Sequence, residues 1–433
     1  MRILMLAQFY PPMIGGEERH VRNLSLELVA RGHDVTVATL WQEGLSEFEC
    51  DQGVRVFRIR GLMQRVSSLF KEKDRRHSPP FPDPEALWAL RRIIKRERPH
   101  IVHAHNWMVH SFTPLKAWSK AKLVVTLHDC SLVCAKQQFV YQGALCSGPG
   151  LTKCLGCASE NYGMAKGLPI TLSMRAWGKL EQQAVDIFLP VSSAIADANQ
   201  LAKRGVFYRV IPNFIPNDVE VGSEDTDPLQ EQLPKGNFLL FVGNVGHDKG
   251  VEILLQAYAE MECQVPLILI GQPEAGFSAA IPPGVRLLQS WPHSAVMSAW
   301  RRCTIALMPS ICPDACPTVT MEAMAMGRAV VASHIGGLPD IVVDGETGIL
   351  IPPGDCRALR EAIQHLLDDP GLRERMGAMA RQTIVKFQAK SVVPRIEQVY
   401  REVLHSTETS TRVKLDQHRK PEDTLATPTT ALF

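Results

Sequence analysis

The sequence predicts an α/β protein made of two Rossmann-like halves, each an open, mostly parallel sheet flanked by helices. Three observations carry this. Short apolar, β-rich runs alternate with longer segments of helical period, as in βαβ units whose strands are buried on both faces. The alternation comes in two series, separated by a polar stretch punctuated by Pro and Gly at residues 213–236, which reads as a linker. The length of 433 residues suits two domains at roughly 100–200 residues each.

In the first series, RILMLA (2–7) predicts a strand, Glu18 to Arg31 a helix and DVTVATL (34–40) the next strand. Further strands are expected at 55–59, 101–105, 123–127, 187–191 and 208–212, with a helix over 84–98. The second series gives strands at 238–243, 266–271, 285–288, 304–309, 329–333 and 349–351. Its helices are expected at 250–261, 294–302, 318–326, 356–368 and 371–387, and a last one over 392–405. The predicted organisation is a first domain over 1–212 with a Cys-rich insert at 130–165, the linker, a second domain over 237–387, and a final helix over 388–405. Residues 406–433, rich in Thr and without apolar period, are expected to form a disordered tail.

Composition narrows the function. Apolar residues make up 45%, and 47 Lys plus Arg against 45 Asp plus Glu leave +2, so neither disorder nor bulk nucleic-acid binding is indicated. The longest apolar runs are strand-sized, too short to span a bilayer. Pro11-Pro12 interrupts the N-terminus before any long apolar stretch, which argues against a secretory signal and for a cytoplasmic protein. Most of the 11 cysteines are then expected to be reduced thiols or metal ligands.

Three loops carry candidate chemistry. Gly15-Gly16 joins the first strand to the first helix, where backbone N–H groups at a helix N-terminus can meet an anion. The chain lacks G-x-G-x-x-G, which argues against an ordinary dinucleotide dehydrogenase. Gly243 to Gly250 again leads from strand to helix and places Lys249 where an ammonium can neutralise a phosphate. The stretch Pro309 to Ala323 puts Asp314 beside the N–H groups of Ala315, Cys316 and Thr318, with Pro317 opening the next helix, and Glu322 about one and a half turns along that helix. Such donors with one carboxylate can hold sugar hydroxyls, and a second carboxylate can hold a vicinal diol such as a ribose.

The order of Gly15-Gly16, Thr126-Leu127-His128-Asp129, Val210-Ile211-Pro212-Asn213, Gly243-x5-Lys249-Gly250, Pro309-Ser310 and Glu322-Ala323-Met324-Ala325-x-Gly327 is specific. With Gly336 to Val342, Asp344-Gly345-x-Thr347-Gly348 and Pro353-Gly354-Asp355, the chain resembles the retaining GT-B glycosyltransferases of family 4 (glycosyl transferases group 1). The resemblance implies two Rossmann-like domains facing across a deep cleft, and a hexosyltransferase-type enzyme moving sugar from a nucleotide diphosphate sugar to a hydroxyl acceptor, as in polysaccharide synthesis. It implies that Lys249 binds the diphosphate, Glu322 the ribose, and Asp314 with the following amides the transferred sugar. Gly16 would close over the phosphate from the opposite side and His128 would lie by the reacting carbon. It implies no catalytic metal, and a glycan or lipid-linked glycan as acceptor. Family members carry Glu at the position of Asp314 and Arg at that of Asn244. The acid here is one methylene shorter, and a cation beside the diphosphate is missing unless Arg301, Arg302, His247 or a first-domain residue replaces it. Two other readings follow from those departures: a non-catalytic nucleotide-sugar-binding subunit, and a GT-B epimerase or hydrolase.

Cys154-x2-Cys157, with Cys134 and Cys146, suits a structural zinc site, with free thiols or a redox disulfide as the alternative, since the spacing is not that of a standard zinc ribbon; the family resemblance implies that Cys130 is the spare thiol. His103 and His105 fall on one face of a strand; hydrogen-bonded histidines are favoured over a metal pair that lacks a third ligand. The run Lys71 to His77 and the helix bearing Arg91, Arg92, Lys95, Arg96 and Arg98 make the first half locally basic, a solvated face or a peripheral membrane contact.

Overall fold

The structure is a computed structural model that describes residues 1–13, 15–65, 76–218, 228–262 and 265–406. The predicted tail beyond residue 406, much of the linker, and Lys71, Lys73 and Arg75 of the basic run lie outside the described residues.

The first half contains β1 (Arg2–Leu6), α1 (Gly16–Ala30), β2 (Asp34–Leu40), β3 (Phe48–Asp51), β4 (Val54–Ile59), α2 (Pro84–Glu97), β5 (Ile101–Ala104), α3 (Met108–Phe112), α4 (Lys116–Ser119) and β6 (Lys122–Leu127). It continues with β7 (Val140–Tyr141), β8 (Ala144–Leu145), α5 (Leu151–Tyr162), α6 (Met164–Ala184), β9 (Ile187–Pro190) and α7 (Ser193–Ala198). The sheet order is β3-β4-β2-β1-β5-β6-β9, parallel except where β3 pairs with β4. β3 was not expected, because Phe-Glu-Cys-Asp has no apolar run; its half-exposed edge position does not require one.

The second half contains β10 (Leu239–Val242), α8 (Val251–Ala259), β11 (Leu267–Ile270), β12 (Val285–Leu288), α9 (His293–Arg302), β13 (Ile305–Met308), α10 (Thr318–Ala325), β14 (Val330–Ser333), α11 (Leu338–Ile341), β15 (Gly348–Ile351), α12 (Cys356–Asp368), α13 (Pro370–Thr383) and α14 (Ala389–His405). Its strands order as β12-β11-β10-β13-β14-β15, every pair parallel. Strand order reverses between β1 and β5 in one sheet and between β10 and β13 in the other. Those switch points are where open α/β sheets leave a crevice for ligand.

Two expectations fail for stated reasons. Residues 208–212 form no strand; Tyr208 makes a single bridge to Phe188, and Pro190 and Pro212 withhold the N–H groups that a ladder needs. The insert, for which no helix was named, carries α5, and α6 follows it. Gly167 and Pro169 inside α6 hide the helical signal, yet a Cβ at Gly167 would overlap the Ser159 backbone of α5, so glycine is what lets the two helices pack closely.

One core cluster lies between the first sheet and α1 and α14, where Met5, Leu24, Ile396 and Val399 are fully or almost fully buried. The last helix of the chain thus packs on the first sheet. Where the chain crosses between halves, Ile215 N–H donates to the Phe387 carbonyl and Ala389 N–H donates to the Ile215 carbonyl, both at 3.0 Å. The outgoing and returning segments run side by side.

Candidate active site

The loops after β1, β10 and β13 converge at the two switch points. Gly250, at φ 68°, sits in the left-handed region, and a Cβ there would overlap the Pro309 carbonyl oxygen. Only glycine permits this approach, and it sets Lys249 against the loop after β13. Lys249 Nζ donates to Asp314 Oδ1, and Ser310 Oγ donates to Asp314 Oδ2 at 2.8 Å. The structure therefore joins two residues that the sequence reading gave separate partners. Ser310, unassigned from sequence, holds the second carboxylate oxygen. Gly336 (φ 60°) and Gly337 press on the backbone of Asp314 and Ala315, where a Cβ would overlap their carbonyls, and Gly337 N–H donates to the Asp314 carbonyl at 2.6 Å. The loop bearing Asp314 is clamped from both sides.

Pro317 is the N-cap of α10, and no side chain caps that helix; the first turn, starting at Thr318, leaves backbone N–H groups available. Cys316 is buried, and its carbonyl accepts from Asn213 Nδ2 at 3.0 Å. Glu322 is buried in the same helix. Its Oε1 accepts from His293 Nε2 at 2.9 Å and from Arg19 Nη1 of α1 at 3.5 Å. Its Oε2 is buried with no partner among the described residues, a free acceptor site for a ligand hydroxyl. Neither Arg19 nor His293 was singled out from sequence, because their significance lies in pairing over 303 and 29 residues.

Asn244 is exposed. Of the cations nominated to replace the missing Arg, Arg302 is tied to the Gln230 and Pro234 carbonyls, and exposed His247 lies 3.8 Å from Glu252. A Cβ at Gly16 would meet nothing within 4 Å, so the fold itself does not demand glycine there. Glu17, one residue on, accepts from Asn106 Nδ2.

His128 is brought together with His105 and with His20 of α1. His105 Nδ1 and His128 Nε2 share a hydrogen bond of 3.1 Å, and the His20 and His128 rings lie 5.0 Å apart. One ligand nitrogen from each of His20, His105 and His128 lies within 4.8 Å of the others, the one such set of three or more metal-type ligands among the described residues. Both nitrogens of His20 and Nε2 of His105 are buried without a partner. Burial, then the neighbouring imidazoles, holds His105 and His128 well below the usual histidine pKa; burial alone lowers His20 to about 4. The cluster is neutral near pH 7. His103, by contrast, is bonded at both nitrogens, to Tyr400 OH at 2.6 Å and Thr126 Oγ1 at 2.7 Å, and is a structural residue.

In the insert, Cys134, Cys146, Cys154 and Cys157 line one small cavity of about 30 Å3. Their sulfurs do not converge as closely as the three imidazoles. Burial raises the Cys134 thiol, while backbone N–H groups of Phe139, Lys136 and Gln137 act to lower it. Cys130 is buried apart from solvent. The insert also touches the second half: Gln138 Nε2 donates to Asp248 Oδ2 at 2.9 Å, beside Lys249.

The family model Glycosyltransferase Family 4 matches residues 14–219, and Glycosyl transferases group 1 matches residues 224–383. The chain is 26% identical to glycogen synthase of Mycobacterium tuberculosis over 437 aligned positions, covering 92% of this chain and 94% of that protein. It is 34% identical to D-inositol 3-phosphate glycosyltransferase of Corynebacterium diphtheriae over 178 positions, 37% of this chain and 42% of the relative. Among solved structures, sucrose-phosphate synthase from Thermosynechococcus elongatus superposes with a TM-score of 0.71 at 20% identity, over 94% of this chain and 99% of that one. Anabaena HepE in complex with UDP gives 0.65 at 18% identity, over 93% and 100%. The paired sheets, the loops at their switch points and these matches lead to one conclusion: the chain belongs to the GT-B glycosyltransferases of family 4, enzymes that transfer a sugar from a nucleotide-sugar donor.

Proposed function

We propose that the donor lies in the cleft with its ribose on Glu322, its diphosphate on Lys249 and the α10 N-terminus, and its sugar against Asp314 and the amides that follow. The observation that carries this is Glu322: a buried carboxylate with one oxygen anchored by His293 and Arg19 and the other left without a partner. A vicinal diol would complete it. Lys249 has three N–H donors, so it can hold Asp314 in place and still meet a phosphate. Gly16, with open space before it, lets the first half approach the diphosphate. His128, kept neutral by burial, serves as a hydrogen-bonding partner for the sugar.

In the chemistry that the family resemblance implies, the bond from the anomeric carbon to the diphosphate breaks as a bond to the acceptor oxygen forms on the same face. The acceptor proton passes to the departing diphosphate. The chain's main contribution is electrostatic, from Lys249 and the helix N-terminus, and no catalytic metal is assigned a step. The acceptor is a hydroxyl of a glycan or lipid-linked glycan, held by the first half. Nucleotide release from a nucleotide sugar tests this: release that depends on acceptor is expected, and release to water alone at the same rate would favour a hydrolase.

Two subsidiary assignments belong to this reading. Cys134, Cys146, Cys154 and Cys157 hold a structural zinc, supported by their common cavity and the Cys154-x2-Cys157 spacing. The enzyme works in the cytoplasm and touches the membrane peripherally through α2 and α4. Exposed Trp88 and Trp118 carry Arg92 and Arg91 over their rings, an aromatic and cationic surface suited to anionic headgroups. No helix among the described residues is long and apolar enough to cross a membrane.

A further inference from the structure

The insert encloses a second concave region, distinct from the donor loops. A cavity of about 260 Å3 opens between the turn after His128, the start of α5 and one side of α6, far more than a single water needs. Arg175 and Lys179, one turn apart on α6, line it together with Arg204 from the loop after α7. No Asp or Glu is among the lining residues. Among the described residues, none of these three cations makes an ion pair or a side-chain hydrogen bond, and Arg204 Nε is buried without a partner. Glu181, the acid whose charge Arg204 senses, is turned toward His110 at 3.7 Å, and burial pushes its pKa up to about 8. Its carboxylate is thus engaged with His110, and Arg204 has no hydrogen bond to it among the described residues.

Two further groups complete the site. Gly150, N-cap of the 12-residue helix α5, has no side-chain cap and lies in the lining with the neutral amide of Gln182. Uncapped N–H groups and three unpaired cations around one cavity are the complement of a compact, multiply charged anion.

We propose that this cavity anchors the phosphate or diphosphate group of the acceptor. The proposal rests on the reading that the first half holds the acceptor near His128. Leu132, part of the cavity wall, follows His128 by four residues, so it lies within roughly 14 Å of it along the chain. An acceptor with its phosphate in the cavity and its hydroxyl at His128 would span the turn that joins the two. The phosphate ester can be free or borne by a lipid; the chemistry recognised is the same.

The probe is inorganic pyrophosphate, titrated calorimetrically into three variants. Arg175 and Lys179 are exposed, so their replacement by Gln leaves the fold intact, which a thermal melt checks. Lys249→Ala, with the donor's phosphate site disabled, is expected to retain pyrophosphate binding. Adding Arg175→Gln and Lys179→Gln to it is expected to weaken that binding about tenfold or more. Loss of all binding in Lys249→Ala alone, or no effect of the two α6 substitutions, overturns the inference. If instead Arg175→Gln/Lys179→Gln abolishes all binding in a chain with Lys249 intact, the α6 cavity stands and the donor assignment fails. Competition then separates the sources: displacement of pyrophosphate by glucose 1-phosphate supports a free phosphate ester, and displacement by phosphatidic acid vesicles supports a lipid-borne one. Failure of both to compete overturns the acceptor role. In transfer assays the α6 substitutions are expected to raise the acceptor KM more than they lower kcat; an unchanged acceptor KM counts against it.

Discussion

Arg19 of α1 and Glu322 of α10 meet across the cleft at 3.5 Å, the guanidinium 41% exposed and the carboxylate 4%. A residue of the first half thereby helps to orient a buried acid of the second, while the other oxygen of that acid stays unpaired. Glu322→Ala is expected to raise the donor KM by about 10-fold to 100-fold, the loss of one charge-assisted hydrogen bond from a buried site, with little change in melting temperature. Arg19→Ala is expected to act in the same direction and more weakly. Initial rates against donor concentration check both, and an unchanged KM for Glu322→Ala would remove the ribose assignment.

Lys249 is hydrogen-bonded to Asp314 of the loop after β13, and the proposed reading gives it the donor's diphosphate. Its replacement by Ala is expected to lower kcat/KM by about 100-fold or more, because leaving-group stabilisation in a partly closed site is a large contribution. Asp314→Asn keeps the shape and removes the charge; a smaller loss of kcat/KM than in Lys249→Ala is expected. Near wild-type turnover in Lys249→Ala at subsaturating donor would refute the role.

Asn244 is exposed, and Arg302, one of its proposed substitutes, is occupied by the carbonyls of Gln230 and Pro234. Asn244→Arg is expected to tighten nucleoside diphosphate binding by about tenfold, since a guanidinium grips two phosphate oxygens in a fork. The gain should shrink between low and high salt. Calorimetric titration decides; weaker binding in the variant would mean that another cation already fills the gap.

For the insert, elemental analysis of protein purified without metal additions is expected to give about one zinc per chain. Replacing Cys154 and Cys157 together by Ser is expected to abolish it, and to lower the melting temperature, since metal binding contributes directly to local folding. Protein that is fully folded and holds no zinc sinks the assignment.

The histidine cluster predicts an acid limit. Burial holds His20 at about 4 and His103 at about 3, against 6.5 in the unfolded chain, and His105 and His128 shift the same way. Each folded value lies below its unfolded one, so the unfolded chain takes up protons first as pH falls. Stability from these groups is fully present above about pH 6.5 and drains away as pH drops toward about 4. Denaturant midpoints measured across that window should fall steeply, and His20→Phe, which removes one protonatable ring, should flatten the slope. A midpoint independent of pH in this window would contradict the buried, neutral cluster.

Much of the fold was legible because parallel strands buried on both faces declare themselves as apolar runs; Leu239 to Val242 and Ile305 to Met308 are examples. The edge strand at Phe48 and helix α6 were not legible, since one is half exposed and the other carries Gly167, Pro169 and Gly178 where an amphipathic helix would carry larger residues. The loop glycines and acids stood out by order along the chain. What sequence order does not carry is pairing at long range: Arg19 with Glu322, His20 with His128, and Gln138 with Asp248 are set by topology. His103 and His105 read alike in sequence, yet one is saturated by Tyr400 and Thr126 while the other retains an unpartnered nitrogen.

The side-by-side crossing at Ile215 and Gln388 has a mechanical meaning. Because the two connecting segments are laced to each other through their backbones, neither half can slide past its neighbour without tearing both. What remains is rotation about that short seam, absorbed in the torsions flanking it, as a book turns on its spine. Opening by such a swing would part Arg19 from Glu322 and Gln138 from Asp248 at the free margins, and would leave the spine itself intact.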